Sequence, residues 1–251
     1  MKLSTQYLSK ANQAATSLSK RLLLTSLPLL TAMAATDVQA EVVDIKLTNL
    51  TQGIYFTPFL VSAHTDTSDF FTVGDTASTA LQAMAEGGDI SGLVTYADGV
   101  GAVSVENPAE GVLAPGASVE IEDMATGLND HLSIMAMLLP TNDGFVGLDS
   151  WEIPETAGTY TLYLNAYDAG TEANDELVNG GGAPGVAGIP ANPGGNSGDN
   201  GTGVTSSELN QMIHVHRGNV GDTNATGGIS DLDSRIHRWL NPVVKVTVTV
   251  K

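Results

Sequence analysis

From Thr159 to Ala166 the chain alternates without a break. Tyr160, Leu162, Leu164 and Ala166 fall on one face, and Thr159, Thr161, Tyr163 and Asn165 on the other. A period of two is the mark of a strand with one face covered and one in water. Acidic loops flank it: Asn142-Asp143-Gly144 before, and Asp168-Ala-Gly-Thr-Glu172 directly after. An antiparallel sheet that sets both loops at one end would bring Asp143, Asp168 and Glu172 together. Converging carboxylates repel unless a cation lies among them, and hard oxygen ligands favour calcium.

The same alternation recurs along the chain. Val43, Ile45 and Leu47 face inward on a strand over Val42 to Leu50, and Val244, Val246, Val248 and Val250 line one face of the last strand. Val103 with Val105, and Val119 with Ile121, alternate with polar neighbours, whereas Leu132 to Leu139 is apolar on both faces, as in a strand covered from both sides. Ile54 to Ala63 is a second apolar run. Its Pro58 cannot donate to a ladder, which places it at an edge or bulge. Ala77, Ala80, Leu81 and Met84 sit at helical spacing behind a cap at Asp75 or Thr76, and Gly87-Gly88 ends that helix. Ile90 to Tyr96 adds a further turn or two, and Leu209 to His216 reads as a strand. Residues 179–205 are rich in Gly, Pro and Asn, with no periodicity, and read as a flexible insertion. Short strands, Gly/Pro turns and one short helix predict an all-β chain, an antiparallel β-sandwich in a single domain over residues 41–251.

The first forty residues read differently. Lys2, Lys10, Lys20 and Arg21 precede the apolar Leu22 to Ala35, and Val38-Gln39-Ala40 supplies a small-x-small cleavage site before Glu41. That is the layout of a signal peptide for a secreted or periplasmic protein, cut after Ala40, with no later transmembrane segment. Its removal leaves six basic residues against 27 acidic ones. Such a balance disfavours nucleic acid and anionic membrane as partners. Without cysteine there is no disulfide framework, so the core must hold the fold, helped by metal where present.

The motif His214-x-His216 offers an enzymatic alternative. Residues i and i+2 of a strand share a face, so both imidazoles could grip one transition metal, with His64, His131 or His237 as a third ligand. Two ligands alone do not define such a site, and the simpler reading is that the histidines hydrogen-bond the backbone. Asp222, Asp231 and Asp233 form another acidic loop, better read as solvated than as a second cation site. Trp239 reads as a core plug, and Arg217, Arg235 and Arg238 as partners of nearby carboxylates. No G-x-S-x-G, phosphate-binding glycine loop or cysteine nucleophile is present. Nothing in the order of residues marks an aromatic sugar-binding cleft, so a carboxylate glycosidase pair is disfavoured.

Three segments together carry a resemblance: PTNDGFVG (Pro140 to Gly147), YDAGTEAND (Tyr167 to Asp175) and NPVVKVTV (Asn241 to Val248). They resemble the spondin domain, the N-terminal module of F-spondin and its relatives. HVHRG (His214 to Gly218) and TNL…FTPFLVSAHT (Thr48 to Thr65) are similar to its secreted bacterial branch. The resemblance implies a β-sandwich related to the calcium-and-lipid-binding sandwiches. It also implies a calcium site on Asp143, Asp168 and Glu172, where glutamate stands in place of the family's usual aspartate. In animal members the domain belongs to extracellular-matrix proteins and takes part in adhesion. The expectation is therefore a non-catalytic binding module for an extracellular protein, matrix or glycan.

Overall fold

The computed structural model describes residues 41–251, so the signal peptide expected over residues 1–40 lies outside the described residues. The described residues form ten strands: β1 Val42–Asn49, β2 Tyr55–Phe56, β3 Leu60–His64, β4 Val103–Glu106, β5 Ser118–Ala125, β6 His131–Leu139, β7 Gly144–Glu152, β8 Gly158–Asp168, β9 His214–Val215 and β10 Val244–Val250. Two helices, α1 Thr79–Gly87 and α2 Ser91–Val100, lie between β3 and β4. All named pairings are antiparallel. The strands run β4-β3-β6-β7-β8-β10-β1-β5 in one sheet, with β2 on β6 and β9 on β8. The all-β expectation is met by this curled, nearly closed sheet.

The inward faces are those the alternation marks. Val43, Ile45 and Leu47 of β1, the four valines of β10, and Leu164 and Ala166 of β8 are buried in one cluster with Leu132, Ile134, Ala136 and Leu138 of β6. Each such side chain contributes roughly 1.5–3 kcal/mol, so a register slip that turned the β10 valines to water would undo the fold. The opposite face of β6 presents Met135, Met137 and Leu139 to a second cluster with Leu81 and Met84 of α1 and Leu93 and Ala97 of α2. That is why β6 is apolar on both faces.

Three expectations need correction. A second full helix, α2, stands where only a turn or two over Ile90 to Tyr96 was expected, because Leu93 and Ala97 give it an apolar face of its own. The cap of α1 is Ser78, whose hydroxyl accepts from Leu81 N–H, and neither Asp75 nor Thr76 serves. The strand expected over Leu209 to His216 shrinks to His214–Val215. Upstream, Glu208 and Asn210 side chains accept from the N–H groups of Asn210 and Met212, a local alternative to ladder bonding, and Leu209 is 92 % exposed.

The Gly-rich segment 179–205 contains no regular element, yet carboxylates hold its backbone. Glu86 accepts from Gly185 N–H at 2.6 Å, Glu172 from Gly188 N–H at 2.9 Å, and Asp231 from Gly201 N–H at 2.9 Å. A Cβ on Gly87 would collide with the Gly182 carbonyl, so the end of α1 and this segment approach more closely than any side chain allows.

Candidate metal centre

β8 changes partner along its length, with β9 joining it at Tyr167 and Asp168. Gly158 to Leu164 pair with β10, and Asn165 to Asp168 pair with Gly147 to Gly144 of β7 on the opposite edge. The register puts Gly144 opposite Asp168, and Ala169 N–H donates to the Asp143 carbonyl at 3.2 Å. Asp143, before β7, and the loop after β8 therefore share one end of the sheet, as the alternation and the two flanking loops lead one to expect.

All three carboxylates are buried: Asp143 is 0 % exposed, Asp168 2 % and Glu172 7 %. Asp143 Oδ2 accepts from Thr171 N–H at 2.8 Å and Glu172 N–H at 3.1 Å, while its Oδ1 is buried with no hydrogen-bond partner. Asp168 Oδ1 accepts from Gly170 N–H at 2.9 Å and Oδ2 from the Asn174 amide at 2.7 Å. Glu172 Oε1 accepts from Gly188 N–H, and its Oε2 is likewise buried and unpartnered. Burial, and then the Asp168 charge, push Asp143 well above the usual carboxylate range. Burial also raises Asp168, against the hydrogen bonds from Asn174 and Gly170, and pushes Glu172 up to about 7. This end of the sheet thus gathers three carboxyl groups whose ionised forms burial disfavours in the absence of a cation. Among the described residues, though, no group of three or more His, Asp or Glu side chains is already drawn together around an ion position.

The two histidines approach the same carboxylate. His214 Nε2 lies 3.8 Å and His216 Nε2 4.0 Å from Asp168 Oδ2. They are not equivalent. His214 Nδ1–H donates to the Met212 carbonyl at 2.8 Å, and its Nε2 faces Asp168. His216 Nδ1 instead accepts from Gly218 N–H at 2.9 Å, so its ring proton sits on Nε2, which has no partner. Burial depresses the His216 pKa to about 3 and keeps the ring neutral. The other histidines are engaged elsewhere: His64 with Ser133 and Thr65, His131 with Asp130, His237 with the Asp233 N–H. Asp222 and Asp231 spend their oxygens on backbone N–H groups. Trp239 packs in the core, and Arg235 pairs with Asp233.

A family model of the spondin N-terminal domain, Spondin_N, matches residues 48–176, half of the chain. The chain belongs to the spondin N-terminal domain family. The matched span contains Asp143, Asp168 and Glu172, while the HVHRG and NPVVKVTV segments lie beyond it. A comparison with curated proteins gives no match.

Several residues at this end of the spondin domain escaped the sequence reading. Asn174, Thr171 and Gly188 orient the three carboxylates, and only the tertiary fold brings Gly188 to Glu172. A buried polar network sits further along β6 and β7. His64 Nε2 and the Ser133 hydroxyl share a hydrogen bond of 2.7 Å, Ser133 Oγ accepts from Ser150 N–H at 2.9 Å, and the same hydroxyl lies 3.2 Å from Asp149 Oδ1. Ser133 is the one polar residue inside an otherwise apolar run, a signal that was available. His64 and Ser133 are both 0 % exposed, and this pair ties β3 to β6.

Proposed function

We propose that this spondin domain is a secreted or periplasmic, matrix-type binding module without catalysis, clamped at the β7–β8 end by one calcium ion. The observation that carries the reading is the pair of buried, unpartnered carboxylate oxygens, Asp143 Oδ1 and Glu172 Oε2. Orphaned acceptors at full burial each cost about 1–3 kcal/mol, more when charged, unless a ligand takes their lone pairs. Asp143, Glu172 and the remaining lone pairs of Asp168 would hold the ion, which supplies the positive charge that lets all three stay ionised. On this reading the curled sheet is a β-sandwich of spondin type. One layer is β5-β1-β10 with the first half of β8, and the other is β4-β3-β6-β7 with its second half. Export follows from the signal peptide over residues 1–40, and the partner is an extracellular protein, matrix or glycan.

Thermal unfolding with calcium and with a chelator tests the clamp. A hundredfold excess of calcium over its Kd should stabilise the protein by about 2.7 kcal/mol, and identical curves would sink the reading. The rival, a transition-metal enzyme at His214 and His216, draws on the convergence of both Nε2 atoms on Asp168. The proton on His216 Nε2 opposes it. Zinc uptake at neutral pH that disappears in a His214→Ala/His216→Ala variant would revive it.

A further inference from the structure

Beyond the Gly147–Asn165 pair, β7 and β8 part company. Leu148 to Trp151 stay on β6 while Gly158 to Leu164 turn to β10. The wedge between them is an open groove of about 350 Å³, lined by Phe71, Thr72, Asp149, Tyr163, Asn165 and Tyr167. Its aromatic wall is fixed in place. Phe71 meets Phe145 edge-on at 5.1 Å and Tyr167 at 5.5 Å, and the ring of Phe71 lies so close over Gly147 that no Cβ would fit. Asp149 is equally fixed, accepting from Phe70 N–H at 2.9 Å and from the Ser150 hydroxyl at 3.0 Å. Tyr163, Asn165 and Tyr167 occupy alternate positions on the outer face of β8, and Tyr163 is 60 % exposed.

The polar tips of these side chains are idle. Among the described residues, hydrogen bonds leave out the Tyr163 and Tyr167 hydroxyls, the Asn165 amide and the Thr72 hydroxyl. On the other face of β8 the Tyr160 hydroxyl, by contrast, donates to the Thr156 carbonyl at 2.7 Å. A wholly apolar ligand would desolvate these groups and leave them unpaired. A polyanion would meet a groove lined by no cation in a chain of formal net charge −18. What suits aromatic faces ringed by uncommitted hydroxyl and amide groups is a neutral ring with apolar C–H faces and a hydroxylated rim. We propose that the groove binds a neutral saccharide, with Tyr163 as the stacking platform and Asn165 as the principal hydrogen-bonding side chain.

This rests on the reading of the chain as a binding module, but not on the calcium clamp. Saturation-transfer NMR and calorimetry on residues 41–251 would use cellohexaose, laminarihexaose, maltohexaose and chitohexaose at up to millimolar concentration. At least one should bind with a micromolar to millimolar Kd. Tyr163→Ala and Asn165→Ala should each weaken it about tenfold, with the melting temperature of the exposed Tyr163→Ala variant unchanged. A chelator, and Asp143→Asn, should leave the saccharide affinity as it was, which separates failure of the clamp from failure of the groove. No binding by any of the four overturns the assignment. So does equal affinity in Tyr163→Ala, or preference for an extended peptide pairing with the free edges of β7 and β8.

Discussion

At Glu176 every oxygen is occupied. Oε1 accepts from Val220 N–H at 2.6 Å, and Oε2 from Gly221 N–H at 2.8 Å and the Ser230 hydroxyl at 2.7 Å. At Glu172, four residues earlier, one oxygen accepts from Gly188 and the other from nothing. The contrast extends to their neighbours. Asp231 holds Gly201 and Val178, and the N–H groups of Asn224, Ile229 and Ser230 keep Asp222 below the usual carboxylate range. Asp143 and Glu172 are instead pushed above it by burial. Two acidic regions of one chain thus use carboxylates differently. The long loops employ them as staples for backbone that lacks a ladder, and the end of the sheet leaves them short of positive partners. Acidity alone marks neither role; the tally of donors at each oxygen separates them.

The largest expected effect lies in the staples. Glu176→Ala strips three donors of a charged acceptor and should cost at least about 3 kcal/mol in urea unfolding, equally with calcium or chelator. A loss that depends on calcium would erase the distinction between the regions. Next comes Asp143→Asn, which should abolish the calcium-dependent stabilisation of about 2.7 kcal/mol expected for the parent at saturating ion. In chelator it should match or exceed the parent, since it removes a carboxyl group whose ionised form burial disfavours. A variant that still responds fully to calcium would move the ion elsewhere.

The pH dependence sharpens the same contrast. In chelator, Glu172 keeps its proton to about pH 7 when folded but releases it near 4.5 when unfolded. Its contribution to stability is therefore present at low pH and lost as pH rises through that window, by up to about 3 kcal/mol. Glu172→Gln should flatten this fall in equilibrium unfolding followed from pH 5 to 8. His216, held neutral with a pKa near 3, acts in the opposite sense below pH 6.5, but does so in both proteins and cancels in the difference. Identical pH profiles would show that Glu172 is solvated. The smallest effect should come from the surface pair Lys46–Glu120, where Lys46→Met should change stability by no more than about 0.5 kcal/mol despite the 2.6 Å contact.

Much of the sheet was legible because alternation is a local code. The inward faces of β1, β8 and β10, and the double burial of β6, follow from side chains two residues apart. The strand β7 itself was not read from the sequence, because Gly144 to Glu152 carries no clean alternation; only the meeting of the two flanking loops at one end was anticipated. What stayed hidden depends on residues distant in sequence. Gly188 N–H reaches Glu172 only because the loop folds back over α1, and no periodicity encodes that. The tautomer of His216 hinges on the Gly218 N–H, which a motif of two histidines does not specify. The groove was invisible for a related reason: the sequence counts few aromatic residues, and only the splaying of β7 from β8 gathers Phe71, Tyr163 and Tyr167 in one place.

The antiparallel register sets Val43 beside Val250, and Val250 beside Gly158. Whatever precedes β1 or follows β10 therefore leaves from neighbouring points on one rim. The carboxylate end lies at the far end of the 11-residue β8, about 35 Å away. The described chain thus keeps its two ends on one rim and its acidic loops at the opposite end of β8. Tension on its two ends would peel β1 from β10 rung by rung before it strained the tip.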